Sequence, residues 1–244
     1  MVSEVNEWYA PYMSDQVAVN YLHLFLERHP VRTFKKGEVI IFQGEVPRTA
    51  YVIKSGTIKS YNLSVDGDEK PVAFYTIDRT FPVSWVYGKV SSAIYYYEAF
   101  TPEVQVYCID RDEFVAFIKK RPELLFQELE HVLSDQIGST LRLNALQHSR
   151  ASDKLVYSLH YLALTYGRPI PDDKIEIILE LTHQDFANLT GLTRETAATE
   201  LNKLKKQNVI YYSKNTLYQL DRVKLMQRLN DQFIADIEAA TLAS

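Results

Sequence analysis

Between Thr182 and Lys206 lie side chains suited to reading another molecule. Arg194 can donate two hydrogen bonds to guanine O6 and N7, and Glu195 can accept one from cytosine N4. Thr199 and Asn202 fall near the same face, and the Thr199 methyl fits a thymine methyl. Thr182 and Gln184, a dozen residues upstream, can bond phosphate together with backbone N–H groups. Thr193 and Lys203 flank the set, Lys203 as a phosphate contact. An Arg-Glu pair in the first turn of any solvated helix would look the same, so the surrounding elements must decide.

Thr182 is a good N-cap with Asp185 three residues on, and Phe186, Ala187 and Leu189 give a short helix one apolar side. Gly191 permits a tight turn. Thr193 then caps a second helix running to about Lys206, whose row Ala197, Leu201, Leu204 is apolar and whose opposite face carries Arg194 and Glu195. Two short helices joined at a glycine are a helix-turn-helix, whose second helix enters the major groove. Lys203, Lys205 and Lys206 follow, and Val209–Tyr212, Ser213-Lys214-Asn215 and Thr216–Leu220 read as a hairpin, the wing. From Thr182 to Leu220 five basic residues face three acidic ones, whereas the whole chain of 244 residues has a formal charge of −4. The local excess is small, so phosphate contact should be modest per subunit.

Upstream, Val17–Tyr21–Phe25 fits an amphipathic helix over 14–29, limited by Pro30. From Val31 to about Phe114 short β-rich runs alternate with turns such as Lys36-Gly37-Glu38 and Asp66-Gly67, which predicts a β barrel or sandwich without helical period. Asp112-Glu113-Phe114 opens a short helix. Pro122 then starts a long one with Glu123 in its first turn. Its row Leu125, Leu129, Val132, Gln136, Ser139, Leu143, Leu146 is a heptad-like seam with a polar middle. Spacing admits two roles for that seam, a stripe against the β domain or a parallel dimer helix, and a second row, Leu133–Ile137–Leu141, could serve the core while the seam serves a partner. Residues 150–166 form another helix that Tyr166-Gly167-Arg168-Pro169 ends, followed by a turn at Ile170–Asp173 and a β-rich run from Ile175 to Leu181. After the wing, Asp221 caps a helix with Leu225, Leu229, Phe233 and Ile237 every four residues.

Composition excludes several classes. With 46% hydrophobic and 24% charged residues the chain is globular rather than disordered. The single cysteine, Cys108, excludes an internal disulfide framework and a multi-cysteine cluster, and its phase with Val104 and Val106 reads as a structural thiol. No histidine lies between His29 and His131, so the β region lacks the ligands of a jelly-roll metal site. The acidic, polar opening is not a secretory signal, no window is a membrane span, and the expected location is the cytoplasm. No nucleophile–base arrangement or phosphate loop is present. No enzymatic activity, cofactor or metal is therefore expected.

Two motifs resemble the CRP/FNR superfamily of bacterial transcription regulators. Lys36-Gly37-Glu38-Val-Ile-Ile-Phe42-Gln43-Gly44-Glu45, with Tyr51-Val-Ile53 and Gly56, is similar to the first turns of the cyclic-nucleotide-binding jelly roll. Thr182-His-Gln-Asp-Phe-Ala-Asn-Leu-Thr-Gly191-Leu-Thr-Arg194-Glu195-Thr196 is similar to the family's winged helix-turn-helix. The resemblance implies an α+β chain with a β-roll sensor domain at 1–120, a dimerisation helix at 121–149 and a winged helix-turn-helix domain with an extra helix at 150–244. It implies a homodimer joined along 122–147, duplex DNA of near-palindromic sequence as partner, RNA polymerase as a further partner, and no membrane. Nucleotide-binding members carry Gly-Glu and Arg-Ser in a cassette. The matching stretch here, Phe81 to Ile94, has neither, and its one cation is Lys89. The resemblance therefore points to a branch not using cyclic nucleotides. Aromatic residues crowd this region instead, and Trp85, Tyr87, Ser91 and Ser92 are the candidates for contacting a small-molecule effector. Two alternatives stay open: a regulator whose β roll is only scaffold, and a ligand-binding or protein-interaction module without specific DNA binding, since many relatives have an arginine where Thr199 stands.

Overall fold

Pro30 stops the first helix because the residue before a proline disfavours the α region. In the computed structural model, which describes residues 16–212 and 218–229, that helix is α1 (Gln16–Leu26). It buries Leu22 and Leu26; of the row Val17–Tyr21–Phe25, Tyr21 is 48% exposed while Phe25 packs half-buried against the same cluster. Both rows have helical spacing. The slimmer leucines occupy the inward one, beside Phe114, Ile118 and Leu124.

β-branched and aromatic residues then build eight strands: β1 (Val31–Lys35), β2 (Val39–Ile41), β3 (Ala50–Ser55), β4 (Ile58–Leu63), β5 (Glu69–Tyr75), β6 (Thr80–Phe81), β7 (Tyr96–Ala99) and β8 (Glu103–Ile109). They pair into two four-stranded antiparallel sheets, ordered β1-β8-β3-β6 and β2-β7-β4-β5, the double-sheet arrangement of a jelly roll. Between the sheets Tyr51 stacks on Phe81 at 5.2 Å and Phe81 on Tyr97 at 5.5 Å. These aromatics are core, each contributing roughly 1.5–3 kcal/mol by burial. Cys108 packs half-buried against the same core, and burial raises its thiol pKa. The β4–β5 turn carries Gly67 at φ 86°, as Asp66-Gly67 predicts. The expectation of no helix in this stretch needs correction, because α2 (Val83–Val86) buries Trp85 and Val86. One turn of helix is too short to leave a period in the sequence.

Asp110 accepts from the N–H groups of Asp112 and Glu113, both at 3.0 Å, and so caps α3 (Arg111–Lys119). The long helix is α4 (Pro122–Gln147), and the described residues divide within it into two compact units, one ending at Asp135 and one starting at Gln136. Leu125, Leu129, Val132, Gln136, Ser139 and Leu143 of the seam are exposed. Of the second row, which could serve the core, Leu133 is 47% and Ile137 49% exposed, and only Leu141 is buried. In the first unit α4 turns Leu124 and then a polar stretch inward. Glu128 accepts from Tyr87 Oη at 2.8 Å and from Thr80 Oγ1 at 3.2 Å, and Arg79 pairs with Asp135.

The second unit continues with α5 (Ala151–Tyr166), β9 (Gly167–Ile170), β10 (Lys174–Ile177), α6 (His183–Thr190), α7 (Arg194–Lys206), β11 (Ile210–Tyr211), β12 (Gln219–Asp221) and α8 (Arg222–Leu229). The strands form one sheet, β11-β12-β10-β9. Gly167 ends α5 as expected, and a Cβ there would lie 2.1 Å from the Ala163 carbonyl oxygen. It also starts a strand that the sequence pattern does not announce, while the β-rich run expected to reach Leu181 stops at Ile177. Asp221 accepts from the Lys224 N–H at 3.0 Å and caps α8, which buries Leu225 and Leu229. Phe233, Ile237 and the wing tip at 213–217 lie outside the described residues.

Candidate nucleic-acid interface

Local hydrogen bonds fix both helices of the turn. Asp185 N–H donates to Thr182 Oγ1 at 3.2 Å, and Thr182 N–H donates back to Asp185 Oδ2 at 2.8 Å, a closed capping box. Gly191 takes the left-handed conformation at φ 67° and ends α6. Thr193 Oγ1 accepts from Thr196 N–H at 3.2 Å and starts α7. Phe186, Ala187 and Leu189 of α6 are buried, as are Ala197, Leu201 and Leu204 of α7. With its apolar row buried, α7 has its other face outward.

All eight sequence-derived candidates, Thr182, Gln184, Thr193, Arg194, Glu195, Thr199, Asn202 and Lys203, are exposed. They differ in what else they do. Arg194, Glu195 and Thr199 hydrogen-bond to no described side chain and are free to meet a ligand. Thr182 and Thr193 are engaged as caps. Gln184 Nε2 donates to Asn188 Oδ1 at 2.9 Å, and Lys203 Nζ lies 2.6 Å from Glu200 Oε1. Asn202 Oδ1 accepts from Tyr212 Oη at 3.2 Å, and Lys205 Nζ donates to the Tyr212 carbonyl at 2.6 Å. Among the last-turn lysines of α7, Lys206 alone has no partner among the described residues.

Two neighbours of this face were not anticipated. His183 opens α6; partial burial, and then the nearby Arg194 charge, lowers its pKa. Tyr212 follows β11 and meets His183 edge-on at 5.8 Å. In sequence Tyr212 is one more strand aromatic, and nothing in its spacing points to Asn202 ten residues earlier.

Of the effector-contact candidates, Trp85 and Tyr87 belong to one packed cluster with Val86, Ile109, Phe114 and Leu124. The Arg111 guanidinium lies 5.2 Å from the Trp85 ring centroid. Ser91 is exposed, Ser92 half-buried and Lys89 exposed. Beside this cluster, burial raises the Glu128 pKa and, together with the Arg79 charge, lowers that of His131 to about 4. Among the described residues no helix is long and apolar enough to cross a membrane.

The family described as Cyclic nucleotide-binding domain matches residues 31–121, and the Crp-like helix-turn-helix domain matches residues 153–228. The global nitrogen regulator of Synechocystis sp. is 30% identical over 199 residues, spanning 81% of this chain and 88% of that protein. Its counterpart in Synechococcus elongatus is 29% identical over 201 residues, spanning 82% and 90%. A transcriptional regulator of the CRP/FNR family from Thermus thermophilus shares the fold, with a TM-score of 0.62 at 21% identity over 83% of this chain and 100% of that one. A jelly roll, a long helix and a capped helix-turn-helix in this order, with a relative matched over most of both lengths, place the chain in the CRP/FNR family of transcription regulators.

Proposed function

We propose that this regulator acts as a homodimer that binds near-palindromic duplex DNA, with α7 of each subunit in the major groove. The observation that carries the reading is the outward face of α7, where Arg194, Glu195 and Thr199 stand exposed and unengaged by described side chains, opposite a fully buried apolar row. Arg194 reads guanine and Glu195 cytosine in each half-site. Thr199 is too short for a bidentate guanine contact and offers its methyl to thymine. Thr182, Gln184, Thr193, Asn202 and Lys203 complete the interface. The exposed apolar residues of α4 form the dimer contact, and the domains divide at 120/121 and 149/150.

The protein works in the cytoplasm, with RNA polymerase as a partner and without enzymatic activity. An effector would contact Trp85, Tyr87, Ser91 and Ser92. It is not a cyclic nucleotide, because Phe81 to Ile94 offers no arginine for the phosphate, and calorimetry with cAMP should give no micromolar binding.

Selection of sites from random DNA tests the assignment. The wild type should enrich a two-fold motif with half-sites about one helical turn apart. Arg194→Ala should cost roughly 1–3 kcal/mol per half-site and flatten one guanine position. An unchanged motif would mean that Arg194 does not read the base.

A further inference from the structure

Tyr212 touches three elements of the second unit. Its hydroxyl donates to Asn202 Oδ1 at 3.2 Å, its carbonyl accepts from Lys205 Nζ at 2.6 Å, and Lys205 Nζ also lies 4.3 Å from its ring centroid. The ring meets His183 of α6 at 5.8 Å and Tyr218, next to β12, at 4.6 Å. A ring wedged between α6, α7 and the strands has a fixed place, and so does its hydroxyl. Asn202 shares its stripe of α7 with Glu195 and Thr199, at spacings of four and three residues. The Asn202 amide nitrogen hydrogen-bonds to no described group.

Resting on the DNA-binding reading above, we propose that Tyr212 is a positioning residue for DNA readout. Its hydroxyl orients the Asn202 amide, carbonyl toward the wing and N–H groups toward the DNA, and its carbonyl and ring hold Lys205 away from phosphate. An unrestrained asparagine pairs with adenine through both amide ends, Oδ1 accepting from N6 and Nδ2 donating to N7. With Oδ1 held by Tyr212, Asn202 presents donors, and the wild type does not select adenine through this side chain.

A double-mutant cycle with the full chain, on the duplex that the wild type selects, tests this. Tyr212→Phe deletes one hydroxyl and keeps the ring. Asn202→Ala and Tyr212→Phe should each weaken binding about 2–10-fold, and Tyr212→Phe should add nothing once Asn202 is alanine. Site selection with Tyr212→Phe should newly enrich adenine at one position per half-site. Asn202→Asp, which accepts from Tyr212 but donates nothing, should bind worse than Asn202→Ala, a readout that does not depend on Tyr212→Phe folding. Equal effects of Tyr212→Phe in both backgrounds, or Asn202→Asp binding as well as Asn202→Ala, would overturn the proposal. If the wild type selects no motif, the DNA-binding reading falls as well. If the motif depends on Arg194 while Tyr212 and Asn202 act independently, only the positioning role falls.

Discussion

Helices α4 and α7 both turn a face to solvent, and the two faces have opposite chemistry. On α4 the outward residues are Leu125, Phe126, Leu129, Val132, Leu133 and Ile137, while the inward face of its first half includes Leu124, Glu128 and His131. On α7 the outward residues are Arg194, Glu195, Thr199 and Asn202, and the inward row is Ala197, Leu201 and Leu204. An apolar face in water costs free energy until another apolar surface covers it. A polar face with unengaged donors and acceptors is at ease in water and exchanges those bonds for equivalent ones on a nucleic acid. The difference supports the proposal that α4 meets a second protein surface and α7 meets DNA.

The largest break in this comparison is the double change Leu129→Arg, Val132→Glu. Placing charges in the seam should convert dimers to monomers, read by light scattering. An unchanged dimer would mean that the seam lies elsewhere. If the seam is the dimer contact, Gln136 and Ser139 should keep that interface moderate rather than maximally stable.

A second experiment uses the inward faces. His131 is held neutral by burial, with a folded pKa of about 4 against an ordinary value of 6.5. The unfolded chain therefore binds the proton first, and stability present above pH 6.5 is lost as pH falls toward 4, by on the order of 1–3 kcal/mol. Denaturant titrations at pH 7 and pH 5 should show this loss, and His131→Phe should reduce it. Glu128 has the opposite sign: its pKa is raised by burial, so it withdraws stability as pH rises through its folded value, and Glu128→Gln should flatten that limb. No equivalent substitution exists on the inward row of α7, where nothing titrates.

The smallest effect belongs to Lys203. Its ammonium is already paired with Glu200, so Lys203→Ala should weaken binding to all sequences alike and make the salt dependence only slightly shallower. Glu200→Gln should instead strengthen binding at low salt. A full unit of slope lost in Lys203→Ala would show that DNA displaces Glu200.

What the sequence made legible follows from how local each signal is. The caps at Thr182 and Thr193 and the turn at Gly191 involve residues within four positions, so their chemistry can be read directly. Most strands of the first unit are equally plain, because turn residues and alternation recur at short range, whereas β9 in the second unit is not announced. Which face of α1 and α4 packs inward is not legible in the sequence, for one reason. Helical spacing shows which residues share a row, but not which row meets the protein, and on α4 the inward residues mix Leu124 and Leu141 with Gln127, Glu128 and His131. Helix α2 has too few residues to show a period. Tyr212 and Glu128 act through partners ten and forty-one residues away, and only the folded chain brings those pairs together.

The division of the chain at 135/136 falls inside an unbroken helix. Backbone hydrogen bonds four residues apart cross that point, and on the C-terminal side Gly138 lies so close to α5 that a Cβ would sit 3.2 Å from Tyr161 and Thr165 side-chain atoms. A break there would leave the last carbonyls of one part and the first N–H groups of the other without their helical partners. A chain cut at 135/136 should therefore yield two fragments, each with unsatisfied backbone groups at its new helix end and each less stable than the same residues in the intact chain.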